Sequence, residues 1–570
     1  MAVNQEIAAI LYRISEMLEI KNIKWEPIAY SKAARTIESL SENLEDVYRR
    51  GGTKALMEIP GVGKTIASHI EEFIRTGKIK KYDELKKSTP IDIESLSNVE
   101  GLGPKKIMLL YKKLKIKNLG DLEQAAMEGK IQKLPGMRKK TEENILKAIQ
   151  FTQASGERKL IGYALPLARE IIALLQKQSY ILRAEIAGSI ARRKETIGDI
   201  DILVTTSNPK KVMNLFTSLP KVKRVIAKGE TKSTVVYEDM QVDCRVLPPG
   251  EFGSALQYFI GSKDHNVAVR RIAISKGYKL SEYGLFRGTK RIAGKTEDEI
   301  YSKLGMQTPP PEIRENRGEV EAALKHELPQ LVELKDIKGD LHMHTNYSDA
   351  ENTVEEMVRT CKARGYSYCA ITDHVSPVGI ANGLTMAKLK RQQKEIDAAR
   401  KKLNFPILHG AEVDIKMDGE LFADAAMLSE FDIVLASIHQ GMQHTKEEMT
   451  KRMIKAMENR YVNIICHPTG RKINKRPGYE LDFEKVFTAA KANNIFLESN
   501  AAPIRLDLSD VNTRAAKDAG LQIPIGTDAH AVNQLDLMEY GVSTARRAWC
   551  TKKDILNTLS LNELLKRIKR

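Results

Sequence analysis

The sequence predicts a multidomain chain with an α-helical N-terminal part, an α+β middle and a C-terminal distorted β/α barrel. Three observations predict it. Amphipathic helices joined by glycine turns recur up to about residue 150. Asp199 and Asp201 lie on an alternating apolar strand, with Asp243 on a later one. Beyond residue 335, short apolar runs ending in His, Asp or Glu alternate with helical patterns. At 570 residues the chain has room for several domains of roughly 100–200 residues each.

Charge separates the two ends. Of the net +17, residues 1–335 carry +14, whereas residues 336–570 hold 34 Lys and Arg against 31 Asp and Glu. The basic half is therefore the part expected to hold nucleic acid, through phosphate neutralisation. Cys244, Cys361, Cys369, Cys466 and Cys550 show no paired spacing, which argues against a disulfide framework or a structural zinc site. With no basic-then-apolar leader and no apolar window of ~18 residues, a reduced, cytoplasmic protein without membrane contact is expected.

Residues 1–85 read as amphipathic helices, the first from Asn4 to Ile20 with Ile7, Ile10, Leu11, Ile14 and Leu18 on one face. At Ile59-Pro60-Gly61-Val62-Gly63-Lys64-Thr65 a glycine turn joins two of them, and the helix that follows exposes free N–H groups able to grip a phosphate. A second copy stands at Val99–Lys106 and a weaker third at Leu134–Lys140, with Arg138 where its second glycine would be. These turns resemble helix-hairpin-helix elements, which hold duplex backbone without reading sequence. Gly61, Gly63, Lys64, Gly101, Gly103 and Lys105 are the candidate DNA contacts.

In the middle, Gly188-Ser189 begins a stretch that ends in Gly198-Asp199-Ile200-Asp201. Side chains at i and i+2 share a strand face, so the two aspartates repel each other unless cations sit between them. Two Mg²⁺ or Mn²⁺ ions answer this, with Asp243 as third carboxylate and Gly188, Ser189 and Arg192 for phosphate oxygens. This stretch resembles the palm motif of family X DNA polymerases, the DNA polymerase beta type. Further matches are Gly229-Glu230-Thr231-Lys232, Val242-Asp243-Cys244-Arg245 and Tyr258-Phe259-Ile260-Gly261-Ser262 with Asn266 and Arg270.

The resemblance, which runs to about residue 318, implies primer extension on DNA with dNTPs. Asp199, Asp201 and Asp243 would be catalytic, and Gly188, Ser189, Arg192, Tyr258, Phe259, Gly261, Asn266 and Arg270 would bind the nucleotide. Two departures stand out. Ala191 occupies a position where the family often has a second arginine. The N-terminal domain resembles the family's lyase domain, but its nucleophilic lysine position holds His69, with Thr65 nearby, so 5′-end binding without an efficient Schiff-base reaction is expected.

Thr308-Pro309-Pro310-Pro311 marks a break, and Glu312 to Leu334 reads as a polar, helical linker region. Beyond it the runs end as Asp340-Leu341-His342-Met343-His344, Thr372-Asp373-His374, Ala411-Glu412, Ile438-His439, Cys466-His467, Ser499-Asn500 and Thr527-Asp528-Ala529-His530. Polar residues at strand ends are what a parallel β/α barrel presents at its active face. The donors His342, His344, Asp349, His374, Glu412, His439, His467, Asp528 and His530 are too many for one ion and suit Mn, Zn or Fe.

That set resembles the ligands of the PHP (polymerase and histidinol phosphatase) domain, which implies a three-ion cluster hydrolysing phosphate esters. His409 and His444 fit no ligand position. Arg471, Lys472, Lys475 and Arg476 form a basic loop that could clamp a DNA strand.

The expected division is a lyase-like domain at 1–85, a helix-hairpin-helix subdomain at 86–155, a palm at 156–247, a nucleotide-selecting subdomain at 248–318, a linker at 319–335 and the PHP nuclease at 336–570. The implied enzyme is a monomeric gap-filling repair polymerase acting on gapped or primer-template DNA. It would carry a 3′–5′ exonuclease that could also act at abasic sites or blocked 3′ ends. The competing reading is a nucleotidyltransferase of RNA or a small molecule fused to a phosphatase, against which the tandem glycine hairpins argue. A third, a scaffold with a dead palm, is opposed by the intact aspartates.

Overall fold

The computed structural model describes residues 2–569 apart from residues 22, 24, 41–42, 89–90, 98, 100–101, 144, 147–148, 150–157 and 378–381. The N-terminal helix Ala2–Ile20 buries Ile7, Leu11, Ile14 and Leu18 against helix Glu26–Ser39, whose small Ala33 and Ala34 allow close approach. Helix Lys64–Thr76 buries Ile66, Ala67, Ile70 and Phe73 and ends on Gly77 in the left-handed conformation. One hydrophobic core runs from Ile7 through Ile107 and Leu122 to Ile149, so the two helical units are packed as one body. Each fully buried aliphatic side chain there stabilises by about 1.5–3 kcal/mol.

The palm is a five-stranded sheet. In chain order its strands are β1 (Ile181–Ile186), β2 (Asp199–Thr206), β3 (Val222–Lys228), β4 (Lys232–Tyr237) and β5 (Met240–Leu247), arranged β1-β2-β5-β4-β3. Only β2 and β5 run parallel, and their register sets Asp201 directly beside Asp243. Helices Ile161–Gln176 and Pro209–Thr217 pack on the sheet through Ile171, Leu175, Val212 and Phe216. Helices Phe252–Ile260 and Lys263–Ser275, with a small three-stranded sheet at 279–293, form the next unit.

The segment expected to be a helical linker is helical only over Glu319–Lys325, after a 3-10 turn at Pro311–Ile313. It is also packed. Arg314 is buried, donates to Pro309 O at 2.8 Å and pairs with Glu297, and buried Glu319 meets His265 Nδ1 at 2.6 Å. Its polar sequence reflects internal ion pairing and not solvation, because buried charges are retained only with partners.

The C-terminal sheet is parallel and curled: β6 (Gly339–Asp340), β7 (Tyr368–Ile371), β8 (Ile407–Asp414), β9 (Ile433–Ser437), β10 (Ile464–Ile465) and β11 (Phe496–Leu497) in chain order. A separate parallel pair, β12 (Ser499–Asn500) and β13 (Ile525–Gly526), and the bridge Met343–Ala529 complete the curl. Every residue of β8 is buried, as expected of a strand covered on both faces.

This unit is docked on the palm. Ile473, Leu506 and Tyr540 lie in the palm's own core. Gly162 on the palm helix faces Pro503, whose Cγ would stand 2.6 Å from an added Cβ, so the approach needs glycine. Asn474 donates to Arg158 O at 2.5 Å, and Arg169 forks onto Glu539 at 2.8 and 2.9 Å.

Candidate active sites

In the palm, Asp199, Asp201 and Asp243 stand at one end of the adjacent strands β2 and β5. Burial, with Asp199 and Asp243 alongside, raises the Asp201 carboxyl to about 6. Lys232 Nζ lies 3.1 Å from Asp243 Oδ2, while the buried Asp243 Oδ1 has no hydrogen-bond partner among the described residues. Crowded carboxylates with an unsatisfied oxygen fit divalent cations.

Gly188 has φ +65°, and a Cβ there would come within 2.3 Å of Asp201 Oδ2, so the turn carrying Ser189 can press against the aspartates only as glycine. Arg192 donates from Nε to Glu315 Oε1 at 3.1 Å and from Nη1 to Ile260 O at 2.7 Å. Half-buried Tyr258 and Phe259 meet edge to face at 5.1 Å, with the Arg245 guanidinium 4.8 Å above Phe259.

Asn266 is buried. Its amide donates to Tyr258 O at 2.7 Å and Gly261 O at 3.2 Å and accepts from Gln257, so in this conformation it staples the Tyr258–Gly261 turn. A Cβ on Gly261 would collide with Asn266 Oδ1 at 2.5 Å. Arg270 is exposed, its Nε donating to Asn266 O at 3.2 Å.

The second centre gathers all nine predicted donors. Glu412, fully buried on β8, lies 3.5 Å from His342, 3.6 Å from His344, 2.9 Å from both His374 and His467, and 3.4 Å from His439. Asp528 stands 3.2 Å from His344, and Asp349 lies 3.6 Å from His374 and 3.3 Å from His530. Among the described residues, Asp349 Oδ1 and Glu412 Oε2 nonetheless find no hydrogen bond of proper geometry.

Burial holds His344 down to about 3 with His530 and His374 beside it, and His467 down to about 4 with Arg505 nearby. Burial works against the charged form of His374, but the carboxylates of Glu412, Asp349 and Asp528 together outweigh it and raise that imidazole to about 9. A metal ligand must be an imidazole without its second ring proton, the state burial already favours in His344 and His467, and the interleaved imidazoles and carboxylates fit a multinuclear metal site.

Around them stand groups the sequence reading did not select. Glu498 accepts from His342 Nδ1 at 2.7 Å and His467 N at 2.7 Å, Asp414 holds His439 Nδ1 at 2.7 Å, and Cys466 Sγ is 3.3 Å from Glu412 Oε1. Glu498 and Asp414 orient imidazoles, and Cys466 steadies the Glu412 carboxylate. Glu498 directly precedes the Ser499-Asn500 strand end, the one signal that could have found it. His409 is buried, with its two ring nitrogens hydrogen-bonded to Gln393 and Gln392.

The basic loop after His467 packs against the palm through Arg471. Arg471 reaches the palm's Glu195 at 2.8 Å and the carbonyls of Arg505 and Leu506, and Arg476 folds back on Gly470 O at 3.1 Å. Of the four basic residues only Lys475 is exposed. Arg471 and Asn474 tie the loop to the palm, with Ile473 as its apolar anchor.

At the N-terminus, Gly61, Gly63, Lys64 and Thr65 line a cleft of about 870 Å³ with Tyr30. Gly61 has φ +82°, and Gly63 precedes helix Lys64–Thr76. His69 is hydrogen-bonded to Tyr30 Oη at 3.0 Å, and burial lowers its pKa. Gly103 precedes helix Pro104–Leu114 in the same way. Gly101 and the Lys105 side chain lie outside the described residues.

Fold and sites define a nucleotidyltransferase palm joined to a multinuclear metal hydrolase behind tandem helix-hairpin-helix units. Family models agree: a helix-hairpin-helix domain matches residues 2–79, a SAM-like helix-hairpin-helix tandem 93–150, the DNA polymerase beta thumb 255–315 and the PHP domain 340–502. The chain is 39% identical to the DNA polymerase/3′-5′ exonuclease PolX of Bacillus subtilis (strain 168) over 99% of both chains. It is 31% identical to a probable phosphatase of Thermoanaerobacter sp. (strain X514) over 40% of this chain and 95% of that one. With DNA polymerase lambda of Rattus norvegicus it shares 24% identity over 53% and 55%. The chain belongs to the bacterial PolX-type family X DNA polymerases with a C-terminal PHP domain.

Proposed function

We propose that this DNA polymerase and 3′–5′ exonuclease fills short gaps during cytoplasmic base excision repair as a monomer, its PHP centre trimming 3′ ends and acting at abasic sites. The observation that carries the polymerase reading is the Asp201–Asp243 register, which puts three carboxylates beside a phosphate-binding turn in a full-length relative of a known polymerase.

In this reading Asp199, Asp201 and Asp243 hold two Mg²⁺ or Mn²⁺ ions, which when bound neutralise phosphate charge and favour loss of the 3′-hydroxyl proton. Ser189 and Arg192 hold the triphosphate tail, Tyr258 and Phe259 stack beneath the sugar, and Gly261 and Asn266 fix that pair. Arg270 faces the template. The hairpin turns at Gly61, Gly63 and Lys64, and at Gly101, Gly103 and Lys105, hold the DNA backbone. The PHP donors hold Mn²⁺ or Zn²⁺ in a three-ion cluster that polarises the phosphodiester.

Extension on gapped DNA with Mn²⁺ and degradation of a 3′ single strand separate the centres. Asp199→Ala with Asp201→Ala should abolish extension and spare degradation, and His342→Ala with His344→Ala should do the reverse. Loss of both activities in either double variant would refute two independent centres.

A further inference from the structure

Arg547, on the PHP helix Met538–Arg547, is buried, yet it reaches out of its own domain. Its Nη1 donates to the backbone carbonyl of Arg192 at 2.6 Å and to Glu315 Oε1 at 3.1 Å. Its Nε and Nη2 hold Asp510 Oδ2 at 3.1 and 2.7 Å, and Asp510 in turn meets Arg317 at 3.2 Å. Charges therefore alternate along Arg192, Glu315, Arg547, Asp510 and Arg317, crossing from palm to PHP domain. The same carboxylate oxygen of Glu315 accepts from both Arg192 and Arg547.

We propose that Arg547 is a positioning residue for nucleotide binding: the exonuclease domain sets the availability of Arg192 to the incoming triphosphate. The inference rests on the reading of Arg192 as a triphosphate contact. Two effects combine. Arg547 fixes the peptide of Arg192 through its carbonyl, which sets where the guanidinium starts. It also divides the charge of Glu315 between two guanidinium groups, so that Arg192 is held less tightly and can exchange the carboxylate for phosphate oxygens. Without Arg547, more of the Glu315 charge would act on Arg192.

Steady-state extension on gapped DNA with the full-length enzyme tests this. Arg547→Ala should raise the dNTP KM roughly tenfold with little change in kcat, and leave degradation of a 3′ single strand intact. Adding Glu315→Gln to it should return part of that KM rise, because the carboxamide no longer competes for Arg192 while the Arg192 peptide stays unanchored, and no recovery at all would overturn the charge-sharing half of the role. Arg192→Ala is the reference. If it raises KM while Arg547→Ala does not, the positioning role is overturned and the triphosphate contact stands. If Arg192→Ala leaves KM unchanged, the contact and the inference built on it both fall. A fall in kcat at constant KM in Arg547→Ala would mark a merely structural contact and overturn the role. Should that variant fail to fold, Arg547→Lys keeps the charge with a less complete set of donors. A smaller KM rise supports the inference, and an unchanged KM defeats it.

Discussion

Asp201 shows how one residue couples site and stability. Its folded pKa of about 6 stands above the ordinary value of 3.8, so the protonated form is favoured in the folded state. The metal-free palm therefore loses stability as pH rises through the interval from about 4 to about 6, by about 3 kcal/mol in all. Asp201→Asn should stabilise the metal-free protein at pH 7.5 and have no such effect at pH 4, as read by denaturant midpoints in chelator. Equal effects at both pH values would exclude this origin. Gly188 is the companion case. Gly188→Ala should push the Asp201 carboxylate aside and lower primer extension by ~10²-fold, since an ångström of misplacement is enough for such a loss, while exonuclease rates stay unchanged.

At the scale of elements, the first glycine hairpin and the loop after His467 carry opposite lessons. The hairpin keeps its turn and its cleft, and His69, expected from the resemblance to stand where the lyase lysine would be, is tied to Tyr30. Borohydride reduction with a 5′-deoxyribose phosphate substrate should leave this protein untrapped, and a covalent adduct at Lys64 would contradict that. The loop Arg471–Arg476 was legible as basic but not as a docking element. The charge of Arg471 is met by Glu195 and by carbonyls, partners hundreds of residues away in sequence or contributed by backbone that sequence cannot place. The helical expectation for Glu312–Leu334 failed for the same reason: Arg314 and Glu319 satisfy Glu297 and His265, and that tertiary pairing overrides local helical preference.

For the whole molecule, the palm and PHP units behave as one body because apolar insertion and ion pairs act together at their boundary. Arg471→Ala should weaken that boundary by ~2 kcal/mol, the scale of a partly buried charged hydrogen bond, and split thermal unfolding into resolved transitions. Hydrolysis of a small phosphodiester should stay at wild-type rates, because Arg471 is not a metal ligand. A single unshifted transition would argue against the boundary role. No helix among the described residues is long and apolar enough to cross a membrane.

The sequence by itself determined the order of the parts, the three palm aspartates and all nine PHP donors, because these chemistries require particular residue types at strand ends and turns. What only the tertiary structure decided is the set of partners: Glu498, Asp414 and Cys466 around the metal donors, Lys232 on Asp243, and the Arg192–Glu315–Arg547 chain between domains. Spacing along the chain fixes which side chains share a strand face, through the two-residue repeat of the backbone. It carries no information about which face meets which, since that depends on how curled sheets and buried charges settle against one another in three dimensions.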